Sequence, residues 1–265
     1  MVEPIERADD SRISDYRHVG DHDWLRGREL FVAEGRLVVR RLLASERFPV
    51  HSILLTPSAL RSFGAALDTT APVYVAPQEV LNSVTGFNFH RGCLALAGRP
   101  SEDLSTGRFL ESNLILALEG VGNPDNVGGL FRVASAFAVD GVLLDPTSAD
   151  PFYRKAVRTS MAAVLRIPFE RGVPWPDMLY EYRDWGFTVV ALTPRRDAQP
   201  LADFARNARA PLIVLAGAEG PGLSEAALGL ADVMVRIPIA TEVDSLNVTV
   251  AAGVALAYLS AWRAE

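Results

Sequence analysis

The chain has 265 residues, a formal net charge of −6, 49% hydrophobic residues and 22% charged residues. This composition is typical of a globular protein, and the length allows one large domain or two small ones. The acidic balance argues against a general nucleic-acid coat protein, for which a pI above ~9 is usual, but it permits a local basic patch. The single cysteine, Cys93, excludes a disulfide framework and a cysteine-rich metal site.

Further classes of protein are excluded by what the sequence lacks. The longest apolar run, 248–259, is too short to span a bilayer, and the amino terminus has no apolar core of a secretory signal. We therefore predict a cytoplasmic protein without a membrane partner. Lys155 is the only lysine and does not follow a glycine-rich loop, which excludes a P-loop. All four histidines lie within the first 90 residues, which excludes a Ser-His-Asp triad contained in the carboxyl-terminal half.

The first 100 residues predict a small α/β unit. Residues 1–20 are charged and aperiodic, so we expect them to form a loose arm. Apolar runs and helical spacing then predict alternating helices and strands. In chain order these are a helix from about Glu34, the strand 52–56, the helix 57–67, the strand 73–75, the helix 77–84 and the strand 93–97. The polar segment 101–112 is predicted to be a linker.

A second α/β series is predicted over residues 113–265. Its strands are predicted at 114–118, 141–144, 188–192, 212–216 and 233–239. Its helices are predicted from near Gly128, at 153–165, 175–185 and 224–230, and from Ser245 to about Trp262. Alternating strands and helices indicate a parallel sheet covered on both faces. No internal repeat or low-complexity segment is evident.

Three loops of this second series follow strands, where ligands of open α/β sheets bind. The first is Asn126-x-Gly128-x-x-x-Arg132. We expect Arg132 to lie in a mostly buried helix, where an arginine needs a partner, and the alternative is a solvated helix residue. The segment Gly120-x-Gly122-x-x is followed by Asp125 instead of glycine, which disfavours a dinucleotide fold.

The second and third loops carry polar side chains next to apolar elements. In 217–224, three glycines and a proline specify an ordered turn with Glu219 at its tip. In the third loop, Ser245 and Asn247 precede a helix that is apolar all round and therefore predicted to be buried. The alternatives are a capped helix entry with a structural glutamate for Glu219, a plain N-cap for Ser245 and a solvent-facing side chain for Asn247.

Taken together and in this order, the three loops resemble the motifs of the SpoU/TrmH family of RNA 2′-O-ribose methyltransferases. The segments that carry the resemblance are 126–132, 217–223 and 237–239 with 245–251, and a further family segment is similar to 157–161. Residues 1–100 more faintly resemble a substrate-recognition domain related to RNA-binding ribosomal proteins. This sequence departs from the family pattern at Asp125 and Thr241, where glycine is common.

The resemblance implies a domain organisation, a cofactor and an assembly. Residues 1–100 would form an α/β RNA-recognition domain, 101–112 a linker, and 113–265 a parallel-sheet SPOUT methyltransferase domain with a deep trefoil knot. S-adenosylmethionine would be the cofactor, and the protein would act on ribosomal or transfer RNA as a homodimer. Because the sulfonium of this cofactor is already a good leaving group, no metal is expected.

The resemblance also assigns roles to residues by their match to the motifs. The catalytic set would be Asn126, Arg132, Glu219, Ser245 and Asn247. The cofactor contacts would be Gly217, Ile237, Leu246, Thr193 and Ile239. Since RNA contact needs local positive charge, the candidate RNA-binding residues are Arg91, Arg154 and Arg158, and the alternative for the basic clusters is a solvated face. An arginine is effectively always protonated, so we interpret Arg132 as a clamp on phosphate and developing negative charge instead of a base.

Two other functions remain compatible with the sequence. One is an RNA-binding protein that keeps the fold without catalysis, and the other is an RNA methyltransferase that modifies a base nitrogen. The pairing of Asn126 and Arg132 with Ser245 and Asn247 favours the ribose. The sequence leaves open which RNA is modified, including a role in antibiotic resistance.

Overall fold

A computed structural model of the chain describes residues 2–100, 109–209 and 211–260. Residues 101–108 of the predicted linker and the end of the predicted last helix, 261–262, lie outside the described residues. The chain divides into two compact units. The first comprises the described part of Met1–Ser101 together with Pro151–Leu165, and the second comprises the described part of Glu102–Asp150 and of Arg166–Glu265.

Strands and α-helices alternate along the chain. The strands are β1 (Val2–Pro4), β2 (Leu30–Glu34), β3 (Val50–Leu55), β4 (Val73–Val75), β5 (Cys93–Gly98), β6 (Leu114–Glu119), β7 (Gly141–Leu144), β8 (Phe169–Arg171), β9 (Thr188–Leu192), β10 (Gln199–Pro200), β11 (Leu212–Gly217) and β12 (Val233–Arg236). The helices are α1 (His22–Gly27), α2 (Arg36–Leu43), α3 (Pro57–Phe63), α4 (Gln78–Thr85), α5 (Pro124–Ala136), α6 (Arg154–Thr159), α7 (Met178–Asp184), α8 (Leu201–Ala205), α9 (Glu225–Leu230) and α10 (Val248–Leu259). Among the described residues, no helix is both long and apolar enough to cross a bilayer.

The first unit is built on a mixed five-stranded sheet of order β1-β4-β3-β5-β2. Strands β1, β4 and β3 run parallel, whereas β5 is antiparallel to β3 and to β2. Helix α6 packs on β2 in this unit, although it follows β7 in sequence.

The expected loose arm at the amino terminus is wrong. Strand β1 joins the edge of the first sheet, and Ser11–His18 forms a 3-10 helix. Ile5, Ile13 and Tyr16 are at most 1% exposed. Their spacing follows neither a helical nor a strand period, so only the tertiary packing could reveal that they belong to the core.

The second unit is built on a seven-stranded sheet of order β10-β12-β9-β11-β6-β7-β8, and all of its strand pairs are parallel. The predicted parallel sheet is confirmed. Its interior strand β6 is fully buried from Leu114 to Leu118, as a continuous apolar run predicts. The carboxyl ends of β6, β9, β11 and β12 therefore meet at one edge of the sheet.

Several element boundaries differ from the sequence prediction for local reasons. Helix α5 begins at Pro124 instead of near Gly128, because the Asn123 side chain accepts the backbone N–H of Asp125 and Pro124 is favourable in the first turn. Strand β12 ends at Arg236, short of the predicted 239. The helix predicted over 153–165 is interrupted at Met161 and Ala162, which have φ values of 53° and 64°.

Candidate active site

Three side chains that the sequence singled out meet through the amide of Asn247, and we refer to Asn126, Glu219 and Asn247 as the polar triangle. Asn247 Nδ2 donates to Glu219 Oε1 at 2.6 Å and to Asn126 Oδ1 at 3.1 Å. Its Oδ1 accepts the backbone N–H of Thr249 at 2.9 Å, so Asn247 is the N-cap of α10. A reversed amide would turn its NH₂ toward that N–H, so the hydrogen bonds fix its orientation.

The polar triangle joins three loops, each from a different part of the second unit. Asn126 lies in the first turn of α5, Glu219 lies in the loop after β11, and Asn247 precedes α10. Close packing of α5 and α10 brings Asn126 and Asn247 together, since an added Cβ at Gly129 would lie 2.8 Å from Thr249 Oγ1. Glu219 and Asn247 are exposed and Asn126 is half-buried, so a substrate could reach all three.

Arg132 occupies an exposed position, as the alternative of a solvated helix residue predicts, and not the buried one. Helix α5 turns Val127, Leu130 and Phe131 into the core, and Arg132 lies exposed on another side. It forms no hydrogen bond or ion pair with any residue of 2–100, 109–209 or 211–260, and none joins it to the polar triangle. The expected partner within the protein is therefore absent from the described part of the chain, and the guanidinium is available to an external group.

A cleft lies beside the polar triangle at the ends of β9, β11 and β12. It is lined by Thr193, Gly217, Ile237, Ile239 and Leu246, which are the five residues that the family resemblance assigns to the cofactor. Glu219 and Ser245 line it as well, so the cleft and the polar triangle are continuous. Ser245 itself is exposed and is not the cap of α10.

The backbone at Gly217 is pressed against the opposite side of its own loop. An added Cβ at Gly217 would lie 2.5 Å from the backbone carbon of Gly222 and 2.5 Å from the backbone nitrogen of Leu223. Real Cβ atoms do not approach other atoms so closely, so only glycine fits here without a backbone shift. Gly220 and Gly222 have φ values of 87° and 72°, which glycine adopts without strain.

Glu119 is a positioning residue that the sequence analysis did not identify. It ends β6 and accepts hydrogen bonds from the backbone N–H and the hydroxyl of Ser224, both at 2.8 Å, and from Trp175 Nε1 at 2.9 Å. Ser224 is the N-cap of α9, so Glu119 fixes the end of the loop that carries Glu219. The available signal was its position, an acidic residue at the carboxyl end of a buried strand.

Asp145 holds the loop that follows β6. Burial alone would raise the pKa of Asp145, but hydrogen bonds from Ser148, Thr147 and the backbone N–H of Gly120 outweigh burial and lower this pKa below its ordinary value. Gly120 has a φ of 68°. The ionised carboxylate therefore anchors a sharp turn just before α5.

The three arginines predicted to contact RNA lie in the first unit. Arg91, Arg154 and Arg158 each form an ion pair with Glu34, which the sequence analysis did not single out. In the part of the chain that the structure describes, no group of three or more His, Cys, Asp and Glu side chains is arranged to hold a metal ion.

Comparison with known proteins identifies the family. Residues 113–257 match the SpoU rRNA methylase family. An uncharacterized tRNA/rRNA methyltransferase of Mycobacterium tuberculosis is 39% identical over 260 residues, which cover 96% of this chain and 90% of that protein. The chain belongs to the SpoU rRNA methylase family, a family of RNA methyltransferases.

Solved structures share this fold over nearly the whole chain. The crystal structure of an RNA 2′-O ribose methyltransferase has a TM-score of 0.80 and 25% identity, covering 98% of both chains. The SpoU methyltransferase AviRb from Streptomyces viridochromogenes, solved with AdoMet, has a TM-score of 0.79. The AviRb match covers 97% of this chain and 99% of that one at 24% identity. This similarity is evidence for the fold alone.

Proposed function

We propose that this protein transfers a methyl group from S-adenosylmethionine to a ribose 2′-OH of structured ribosomal or transfer RNA. The observation that carries the proposal is the continuity of the cleft with the polar triangle through Glu219 and Ser245. A cofactor in the cleft would contact Gly217, Ile237 and Leu246, with Thr193 and Ile239 at its sides. Its methyl group would then be accessible to a hydroxyl held by the polar side chains.

The protein's part in this chemistry is to align and to stabilise. When bound, S-adenosylmethionine supplies a methyl group on a sulfonium that is a good leaving group. The chain must orient the 2′-OH toward that methyl, which is mainly a proximity effect. We assign this orientation to Asn126, Glu219, Asn247 and Ser245, with Asn247 keeping the Glu219 carboxylate in place. The guanidinium of Arg132 has no partner among the described residues, and we assign it to the RNA phosphate and to the charge that develops on the oxygen.

The test of the ribose assignment uses the chemistry of the product. Total RNA from cells with and without the protein would be incubated with the enzyme and isotopically labelled S-adenosylmethionine, and the labelled site would then be mapped by alkaline cleavage. Alkali cleaves RNA through the free 2′-OH, so a 2′-O-methyl group leaves that bond intact. A labelled site that is still cleaved would indicate base methylation, and the absence of any label would favour an RNA-binding protein without catalysis.

We also propose that the second unit contains the trefoil knot. Strand β12 lies between β9 and β10, which follow one another in sequence, so the later strand is inserted between two earlier ones. Threading of the segment after β12 through the loop before β11 would account for this order. Pulling the two termini apart in an optical trap is expected to give an extended length shorter than an unknotted chain reaches at 3.3–3.6 Å per residue.

We infer a homodimer in which α10 carries the interface. Val250 and Tyr258 lie two turns apart on this helix and are 51% and 50% exposed. Such an apolar stripe on a helix normally faces a partner. Because Asn247 caps the same helix, the active site would border the interface.

Substitution of Tyr258→Glu is expected to convert the dimer to a monomer, since it buries a charge in an apolar contact. Light scattering after size-exclusion chromatography would report the mass. Tyr180→Glu is the matched control, because Tyr180 is 53% exposed on α7. Equal masses for the wild type and Tyr258→Glu would contradict the α10 interface.

Finally, we propose a division of labour between the two parts of the chain. Residues 1–100 would recognise RNA, 101–112 would link, and 113–265 would carry out methyl transfer. Within that last range, 151–165 would serve RNA recognition, because it packs with the first unit. Methyl transfer to a short RNA bearing only the target nucleotide would test the division. Such an RNA lacks the contacts to the first unit, so it should bind more weakly but still be methylated.

A further inference from the structure

A buried carboxylate gathers arginines from two distant parts of the chain, and we refer to Glu34, Arg91, Arg154 and Arg158 as the Glu34 cluster. Glu34 ends β2 and is only 4% exposed. Its Oε1 lies 3.3 Å from Arg91 Nε and 3.6 Å from Arg158 Nη1, and its Oε2 lies 3.2 Å from Arg154 Nη1. All four residues belong to the first unit.

The charges of the Glu34 cluster do not balance. A buried carboxylate needs a partner, but one arginine satisfies that need. Here three guanidinium groups share one carboxylate, and within the described chain none of the three is paired with another carboxylate. Two positive charges are thus left in excess, and the side chains of Arg91 and Arg158 are 54% and 31% exposed. The excess charge faces solvent and suits an external anion.

The arginines of the Glu34 cluster are held in place before any ligand arrives. Arg154 also stacks on Phe87, with 4.5 Å between its guanidinium carbon and the ring centre. Arg91 packs over Gly35, where an added Cβ would lie 3.4 Å from Arg91 Cδ. Side chains that are already ordered lose less entropy when they bind.

The backbone beside Arg158 is strained, which is common at binding sites. Met161 and Ala162 both have left-handed φ values, a conformation that residues other than glycine rarely adopt. Arg41 donates a hydrogen bond to the Met161 carbonyl. The surrounding structure therefore keeps Met161 and Ala162 in this conformation. The turn that they form fixes the end of α6 that carries Arg158.

We propose that the Glu34 cluster is a phosphodiester-binding site for the RNA backbone, in which Glu34 is the positioning residue. The guanidinium fork matches phosphate oxygens in geometry and charge. A single carboxylate turns three such forks toward one point. This inference rests on the proposed function for the identity of the ligand as RNA, and the experiment below separates the two.

The first measurement is the affinity of the full chain for a fluorescein-labelled RNA hairpin, taken by anisotropy over a range of salt concentrations. Each of Arg91→Gln and Arg158→Gln is expected to weaken binding and to reduce the log–log salt slope by about 0.7–0.9 for one lost phosphate contact. Arg61→Gln removes the same charge from an exposed arginine of the first unit and should leave the affinity and slope nearly unchanged. Unchanged affinity in both cluster variants would overturn the site.

Glu34→Gln separates positioning from simple charge. The substitution makes the protein more positive, so charge alone predicts tighter binding to RNA. If Glu34 positions the arginines, the affinity should instead fall by roughly ten-fold, which is about 1.4 kcal/mol. Affinity equal to or tighter than that of the wild type would overturn the positioning role.

A second variant covers the case in which Glu34→Gln does not fold, as judged by thermal melting. Arg91→Lys keeps the charge but removes the fork, and Arg91 is exposed enough to be replaced safely. It should weaken hairpin binding while the salt slope stays near that of the wild type. Wild-type affinity for this variant would contradict recognition by guanidinium geometry.

Two further readings identify the ligand and separate this inference from the proposed function. Titration calorimetry with inorganic phosphate gives the first reading. If the cluster variants lose phosphate binding but keep wild-type affinity for the hairpin, the site binds a free anion and the RNA assignment is overturned. If the wild type methylates RNA but the cluster variants bind it normally, the inference fails and the function stands. If cluster-dependent hairpin binding occurs without any methyl transfer, the site stands and the proposed function fails.

Discussion

Arg132→Ala is expected to slow methyl transfer by about 10²–10³-fold, the effect typical of removing one donor to a developing oxyanion. The affinity for S-adenosylmethionine should remain nearly unchanged, because Arg132 is not among the residues that line the cleft. Its exposed guanidinium has no partner in the described chain, so its removal should leave the fold intact. Transfer of labelled methyl groups to RNA would give the rate, and titration calorimetry would give the cofactor affinity.

Two further variants sharpen the role of Arg132. Arg132→Lys keeps a positive charge without the fork, so partial recovery would indicate charge stabilisation, and no recovery would indicate bidentate positioning of phosphate. Arg206→Ala, on the exposed surface of the second unit, is the matched control and should behave as the wild type. Cofactor affinity that falls as steeply as activity in Arg132→Ala would contradict the clamp.

Gly217→Ala should produce the opposite signature, with loss of cofactor binding as the primary effect. Its new Cβ would lie 2.5 Å from backbone atoms of Gly222 and Leu223, so the loop must move and the cleft wall must move with it. Overpacking typically costs 1–3 kcal/mol, which corresponds to roughly 5- to 160-fold weaker binding if the loss falls on the bound state. Titration calorimetry with S-adenosylmethionine would measure it.

Gly229→Ala is the control for this second prediction. Gly229 lies in α9, next to the same loop, and an added Cβ would meet no atom within 4 Å. Cofactor affinity should match that of the wild type, and the melting temperature should stay equal or rise, because alanine favours helix by up to ~1 kcal/mol over glycine. Wild-type affinity in Gly217→Ala would show that the loop shifts at little cost. The close backbone approach would then not explain why residue 217 is glycine.

The buried strands of the second unit were predictable from sequence, whereas the first unit was only partly so. Strands β6, β9 and β11 are continuous apolar runs, and a sheet buried on both faces leaves that signature. Strand β1 and the 3-10 helix after it contain apolar residues without a regular period. Strand β2 was missed although it is wholly buried, because its short run passes directly into the pattern of α2.

The site could be predicted as a set of residues but not as an arrangement. Asn126, Glu219 and Asn247 were identifiable from their loops, and their hydrogen bonds follow from the packing of α5 on α10. The exposure of Arg132 was one of two alternatives, because the apolar residues around it indicate a buried helix without showing how wide its buried face is; in α5, Val127, Leu130 and Phe131 face the core and Arg132 lies on another side. The role of Glu34 could not be predicted for a different reason. No local sequence pattern distinguishes an ordinary glutamate at a strand end from one that forms ion pairs with three distant arginines.

The order in which these parts can form follows from the discontinuous first unit. A growing chain contains most of that unit once residue 100 is made. The Glu34 cluster is complete only after Arg154 and Arg158 have also been made. The cleft is complete only later in synthesis, because the residues that line it run from Leu192 to Ala251. During synthesis on the ribosome, all residues of the arginine cluster are therefore made well before the last residues of the cleft.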